Sequence, residues 1–278
     1  MSFTIGGFTG FGYNGDPATG QIIPGAAISG ESPRVAFRYD RATRTYTLVT
    51  LDLVSQEDRF VLFSTPDNAT NPAHTDAKFL GYTGTTFGQN ATGVLRLYRS
   101  ASTNPELKLT YSGLGHLARS APLGHLNFGD FWFGYGVETR AEDIPITGTA
   151  AYSGVIYGFA VDPIAGNQYV IEGTASLTLN FVSQKASGTF NMTLVADDGS
   201  RIAVGAASFP DSTIGSMDGV PFPFGGTLTG SSVPFGSVEA RLFGPRAVEI
   251  AGHFANEITV ASGSGKINAH GAFAVVKD

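Results

Sequence analysis

Apolar side chains in this chain return at every second position over most of its length, while helical spacing is scarce. Period two places alternate side chains on opposite faces of a strand, so the pattern commits the chain to β structure. The segment "VAFRYDRATRTYTLVTLDL" (35–53) reads as two strands around an Asp-Arg-Ala-Thr turn, and "VLRLYRS", "ELKLTYSGLGHL" and "LGHLNFGDFWFGYG" continue the texture to residue 136. After the polar bend "AEDIPITG" (141–148), strand-like runs recur every ten to fifteen residues with Gly, Asp-Gly or Asn at the joints. That spacing is expected of a sandwich or a barrel. "ADDGSR" (196–201) is a hairpin signal, because Asp-Gly tolerates positive φ in a primed turn.

Glycine inside a strand weakens it unless a bulge, a corner or a close backbone contact requires it. Gly173, Gly188, Gly226, Gly252 and Gly271 each fall within or beside a strand-like run, which points to a curved, closed sheet. The expected fold is therefore all-β, with a boundary near Ile144–Gly148 and a second half forming a barrel of about eight strands, the size that side chains just fill. With 37 Gly and 14 Pro beside 21 Phe and 10 Tyr, the chain has the aromatic mass that disordered sequences lack.

The hairpin "GSVEARLFGPRAVEIAGHF" (236–254) makes a sharper statement. Val238, Ala240, Leu242, Val248, Ile250 and Phe254 must share one face, so the connection around Gly244-Pro245 has an odd length, three or five residues. Arg241 and Glu249 are then expected on the outer face as an exposed ion pair, which contributes little. His253 is expected to point outward too.

Net charge is −6 with 17 Lys+Arg and no basic run, so phosphate neutralisation is not the task and no nucleic-acid partner is expected. Cysteine is absent, which removes disulfides, thiolate metal sites and a cysteine nucleophile. The first residues lack the basic and apolar regions of a signal peptide, and no run of about twenty apolar residues offers a membrane helix. No G-x-S-x-G elbow and no H-E-x-x-H is present, and "GFGYNG" (10–15) precedes a turn instead of a phosphate-cradling helix. Glu57-Asp58, Glu142-Asp143 and Asp197-Asp198 are sequence neighbours in turn-like segments, so none is a ready acid/base pair. The chain is thus expected not to be an enzyme. The aromatic stretch 221–236 reads as a binding loop or as a cap on a barrel end.

Histidine supplies the one constellation. If strands pair around a six-residue loop (118–123), His116 stands opposite His125, with Phe131, Phe133 and Tyr135 as planar contacts on the same strand. Two imidazoles so placed are candidates to grip a metal or an axial position of haem. The same residues also read as exposed hairpin-tip histidines flanked by structural aromatics.

Phe243, Gly244, Pro245, Ala247, Glu249, Ile250, Gly252 and Phe254 together resemble the signature hairpin of transferrin-binding-protein-B-like surface lipoproteins of Gram-negative bacteria. "GTASLTLNF", "ASGTFNMTL" and "GAFAVVKD" are similar to the same barrel, and 130–160 resembles its entry. The resemblance implies an N-terminal handle-like β domain (1–145) followed by an eight-stranded antiparallel β-barrel (146–278). It also implies a non-enzymatic protein at the cell surface, outward facing on the outer membrane, or secreted. Such a protein captures a nutrient such as haem or a partner protein, with a lipid anchor outside these residues. A structural or adhesive surface protein is the alternative. Only one handle-plus-barrel lobe is present, where transferrin binders have two.

Overall fold

Strands that alternate apolar and polar must bury one face, and an open sheet also leaves two unpaired edges. Closure answers both demands, and this chain uses it twice. The computed structural model describes residues 2–13, 28–31, 34–40, 42, 45–51, 58–63, 72–86, 92–99, 103–120, 128–215, 224–259 and 265–278.

The first sheet contains β1 (Ser2–Tyr13), β2 (Ile28–Glu31), β3 (Arg34–Asp40), β4 (Thr45–Leu51), β5 (Asp58–Phe63), β6 (Phe79–Thr86), β7 (Thr92–Tyr98), β8 (Ser112–Ser120) and β9 (Phe128–Gly136). Neighbours pair in the order β2-β1-β3 and then in sequence to β9, which pairs back onto β1. The second sheet contains β10 (Thr149–Val161), β11 (Gln168–Asn180), β12 (Lys185–Ala196), β13 (Arg201–Thr213), β14 (Phe224–Thr227), β15 (Thr229–Gly230), β16 (Phe235–Phe243), β17 (Glu249–Thr259) and β18 (Lys266–Lys277). β14 and β15 are two pieces of one path broken at Leu228; the first pairs with β16 and the second with β13. The ring therefore has eight staves and is antiparallel throughout. The all-β, barrel-forming architecture expected from the alternation is the one observed.

Inside the second barrel the rings of Phe190, Phe209, Phe254 and Phe273 are essentially sealed from solvent. Phe190 meets Phe209 at 6.1 Å and 80° and Phe254 at 5.7 Å and 73°, the edge-to-face contacts that aromatic quadrupoles favour. The strand glycines go with this tight winding. A Cβ at Gly188 would stand 2.6 Å from the Phe209 ring, and one at Gly173, Gly252 or Gly271 would strike a carbonyl of the neighbouring strand.

The 236–254 hairpin follows its parity. Leu242 pairs with Ile250, and the strands end at Phe243 and restart at Glu249, leaving the five residues 244–248. Val238, Ala240, Leu242, Ile250 and Phe254 all face the barrel core, while Val248 sits in the loop. The connection contains a 3-10 turn over Pro245–Ala247, entered by Gly244 at φ 72. At 197–199 the hairpin forms as well, but only Gly199 takes a positive φ (82) and Ala196 N–H donates to Ser200 O at 2.9 Å, so the connection is a three-residue loop instead of a primed two-residue turn.

Arg241 and Glu249 correct the expected surface pair. Both point out of the barrel, yet Glu249 is only 4% exposed, and Arg241 pairs with Glu138 instead. The outer face is buried here because the first sheet lies against it. Thr139 N–H donates to Leu242 O at 2.9 Å, Gly244 N–H to Val137 O at 2.9 Å, and Thr139 Oγ1 to Gly244 O at 2.7 Å. The Glu249 carboxylate accepts the N–H groups of Thr110 (2.7 Å), Tyr111 (3.0 Å) and Ser112 (2.7 Å) and the Ser112 hydroxyl (2.8 Å). Where the backbones come closest, a Cβ at Gly134 would lie 2.7 Å from Gly252 N.

A matched pair of glycines tests this joint. Gly199 and Gly244 both have positive φ, but a Cβ at Gly199 meets nothing, whereas one at Gly244 would sit 2.5 Å from the Tyr111 ring. Gly199→Ala is expected to cost about 1 kcal/mol for the backbone alone, and Gly244→Ala about 3 kcal/mol because its ψ of 176 belongs to a region essentially reserved to glycine and overpacking adds to it. Urea unfolding of the two variants measures the difference, and equal losses would remove the packing claim.

Candidate binding site between the two sheets

Across the outer face of the first sheet, Arg96 on β7, His116 on β8 and Trp132 on β9 form one cross-strand row. Asp130 lies two residues from Trp132 on the same face, diagonal to His116. The opposing wall is the outer face of the second barrel. There Val170 pairs with Phe159 and Phe159 with His270; Glu172 pairs with Tyr157 and Tyr157 with Ala272. Phe79, Trp132, Tyr157 and Ala272 pack in one cluster across the joint.

At one edge of that cluster, the Asp130 carboxylate bridges the sheets. Its Oδ2 lies 2.7 Å from His116 Nε2 and its Oδ1 lies 3.1 Å from His270 Nε2. Burial by itself would raise the carboxyl pKa, but the charge and hydrogen bonds of His116, followed by those of His270, outweigh it and hold Asp130 well below the usual carboxylate range. An ionised carboxylate has no proton to give, so both imidazoles donate through Nε2. The His116 ring stacks on Trp132 at 4.3 Å and 15°, and Trp132 stacks in turn on Tyr157 at 6.4 Å and 14°.

A second polar group borders the first. Lys78 Nζ reaches Glu106 Oε1 at 2.9 Å and Tyr157 Oη at 2.7 Å, Tyr98 Oη donates to Glu106 Oε2 at 3.0 Å, and Tyr157 Oη also contacts Glu106. Burial works against ionised Glu106, yet the bonds from Tyr157 and Lys78 prevail and lower its pKa. Burial first, and then the neighbouring Glu106, push the Tyr157 and Tyr98 hydroxyls upward. Arg96 pairs with Asp76 and lies 4.8 Å over the Phe79 ring. Between these groups opens a cleft of about 390 Å³, lined by the Arg96–His116–Trp132 row, Asp130, Tyr157, Phe159, Val170 and Glu172.

The expected ligand set is divided by this geometry. His116 lines the cleft, but it stands opposite Trp132 and not opposite His125. Strand β8 runs on to Ser120 and β9 starts at Phe128, so the connection is the seven residues 121–127, and an odd loop reverses the parity of a six-residue one. His125 itself lies outside the described residues. Phe131 and Phe133 pack with Leu117 and Tyr82 inside the first sheet, with Tyr135 against them, on the face turned away from His116. The three aromatic contacts expected beside His116 thus lie on the other face of β9, and His116 Nε2 is engaged by Asp130. Among the described residues no cluster of His, Asp and Glu has the arrangement of a metal site. His253 does leave the barrel, as parity requires, but it is 9% exposed and 4.0 Å from Glu239. In the 221–236 stretch, Phe224 is buried in the barrel, Phe235 is 67% exposed, and Phe222 lies outside the described residues.

Asp130, Trp132, Tyr157 and His270 were not singled out from sequence. One signal was available: Asp130 is the lone charge in the aromatic strand "FGDFWFG". A charge in such a run requires a buried partner.

No family model and no curated protein matches the chain. Among solved structures, the chain is similar to a transferrin binding protein B double mutant from Haemophilus parasuis, at 14% identity and TM-score 0.44, covering 99% of this chain and 76% of that one. It is similar to HpuA from Kingella denitrificans in complex with human haemoglobin, at 15% identity and TM-score 0.44, covering 99% and 87%. A surface lipoprotein aligns at 12% identity and TM-score 0.41, covering 98% of each chain.

Proposed function

We propose that the chain is a non-enzymatic binding protein of the bacterial cell surface or secreted space. It holds a partner protein with the hairpin ends of the second barrel, and residues 1–145 and 146–278 act as two units locked by the Glu249 joint. The observation that carries this reading is the contrast between the inside of that barrel and one of its ends. The interior is filled by packed phenylalanines, so a nutrient is not enclosed there as it is in wider barrels. Val161, Asn268, Glu257 and Phe235 form one row across the sheet, which places the turns beyond them at the same end. Ile164 at 68% and Phe235 at 67% stand exposed at that end, where a hollow of about 510 Å³ is lined by residues 165–169 and by Asp197 and Asp198. Exposed apolar groups with a polar rim are the usual mark of a contact surface. Pairing of β9 back onto β1 and closure through β14 and β15 leave few edges for strand addition, which weighs against a self-assembling lattice.

The test is cross-linking mass spectrometry of the full chain in its own host setting, with wild type and an Ile164→Asp/Phe235→Asp double variant. Both sites are exposed, so thermal unfolding is expected to be unchanged. Cross-links should fall on 162–168, 196–202 and 231–235, and the double variant should lose the partner by about tenfold or more. Equal recovery of the same partner by the double variant would overturn the reading.

A further inference from the structure

We infer that the cleft between the sheets is a small-molecule site for an uncharged, planar aromatic compound carrying carbonyl oxygens. This site is separate from the loop end assigned to a partner protein. Three features of the cleft converge on that chemistry.

Its walls are rings. Trp132 and Tyr157 line it beside Phe159, and Val170 stands 48% exposed at its rim. A volume of about 390 Å³ falls within the range of small-molecule sites and suits one fused ring system. Flat aromatic walls favour a flat ligand, which gains offset or edge contacts with them.

Of its three buried polar atoms without a partner among the described residues, two are donors, and the third is His116 Nδ1. Trp132 is 4% exposed, and its indole Nε1–H is buried with no hydrogen-bond partner among the described residues; the same holds for Arg96 Nε–H. Indole and guanidinium nitrogens donate and never accept. Buried donors are nearly always satisfied in folded proteins, so a site that leaves two of them bare is complementary to acceptor oxygens.

Its charges are already matched. Arg96 is paired with Asp76, Lys78 with Glu106, and Glu172 with Arg201, while Asp130 bridges two imidazoles. An anionic ligand would face Asp76, Asp130 and Glu172 with no unpaired cation to offset them. A cationic ligand would leave both bare N–H donors unsatisfied. A neutral carbonyl compound meets the donors and disturbs none of the pairs.

Trp132 is the only tryptophan, so its indole N–H gives a single resonance in a spectrum of the full chain labelled with 15N-tryptophan. Coumarin, 2-naphthoate and 2-naphthylmethylammonium serve as neutral, anionic and cationic probes. Coumarin is expected to move the indole resonance saturably and downfield, and to bind about tenfold or more tighter than either charged probe. Val170→Arg, a change at an exposed rim position, should weaken coumarin about tenfold with no change in thermal unfolding, while Phe235→Asp at the loop end should leave it as in wild type. An indole signal that stays still up to the solubility limit of coumarin overturns the inference. So does equal or tighter binding of the ammonium probe, or an unaltered coumarin affinity in Val170→Arg. The partner-protein reading is judged by the Ile164/Phe235 variant, so the two can fail independently.

Discussion

Glu249→Ala is expected to lower stability by about 4 kcal/mol, because it removes a buried carboxylate that accepts four hydrogen bonds and leaves their part-buried donors without it. Hydrogen bonds to an ionised acceptor are the stronger kind. The loss also falls on a segment, Thr110–Ser112, whose N–H groups are held by a residue 137 or more positions away. The effect should therefore be local as well as global: amide exchange at Tyr111 and Ser112 should speed beyond what the change in global stability accounts for. Glu249→Gln keeps one acceptor oxygen and is expected to lose about half as much. Urea unfolding with hydrogen exchange by mass spectrometry measures both. A loss under about 1 kcal/mol for Glu249→Ala would show that the joint is held by packing and not by this carboxylate.

That joint also shows what was legible in the sequence. Parity carried the 236–254 hairpin: Val238, Ala240, Leu242, Ile250 and Phe254 alternate cleanly with polar neighbours, and the five-residue connection followed. Parity failed between β8 and β9 for a physical reason. Phe131, Trp132 and Phe133 are consecutive and all buried, because β9 packs one face into its own sheet and the other against the second barrel. A strand apolar on both faces has no alternation to set its register, so a loop placed too early, with His116 set against His125 instead of Trp132, passes unnoticed. The same holds for β18, where His270 is flanked by Ala269, Gly271 and Ala272 and nothing in the pattern marks the outer face. Alternation puts Glu249 on the correct face but does not give its environment. A face that leaves one barrel is exposed only if nothing else in the chain covers it, and that is tertiary information. Asp130, Trp132 and His270 lie on these doubly covered strands, where the pattern marks none of them.

Asp130→Asn is expected to cost about 3 kcal/mol at neutral pH, since removing the charge from a buried bridge breaks a matched set and sets an amide N–H₂ against an imidazole N–H. The cost should depend on pH in a defined direction. The folded-state pKa of Asp130 is depressed, so its stabilisation is fully present above the unfolded-chain value and disappears as pH falls toward the folded one. An unfolded aspartate titrates near pH ~3.9, so wild type should lose its advantage over the variant progressively below about pH 5. Because the carboxylate joins His116 of the first sheet to His270 of the second, the acid loss should appear first at the joint, as faster amide exchange in β9 and β18. Urea titrations of both proteins at pH 7 and pH 3 decide the matter. A gap of the same size at both values would mean that the carboxylate charge does not hold the sheets together and that the Trp132 and Tyr157 rings alone suffice.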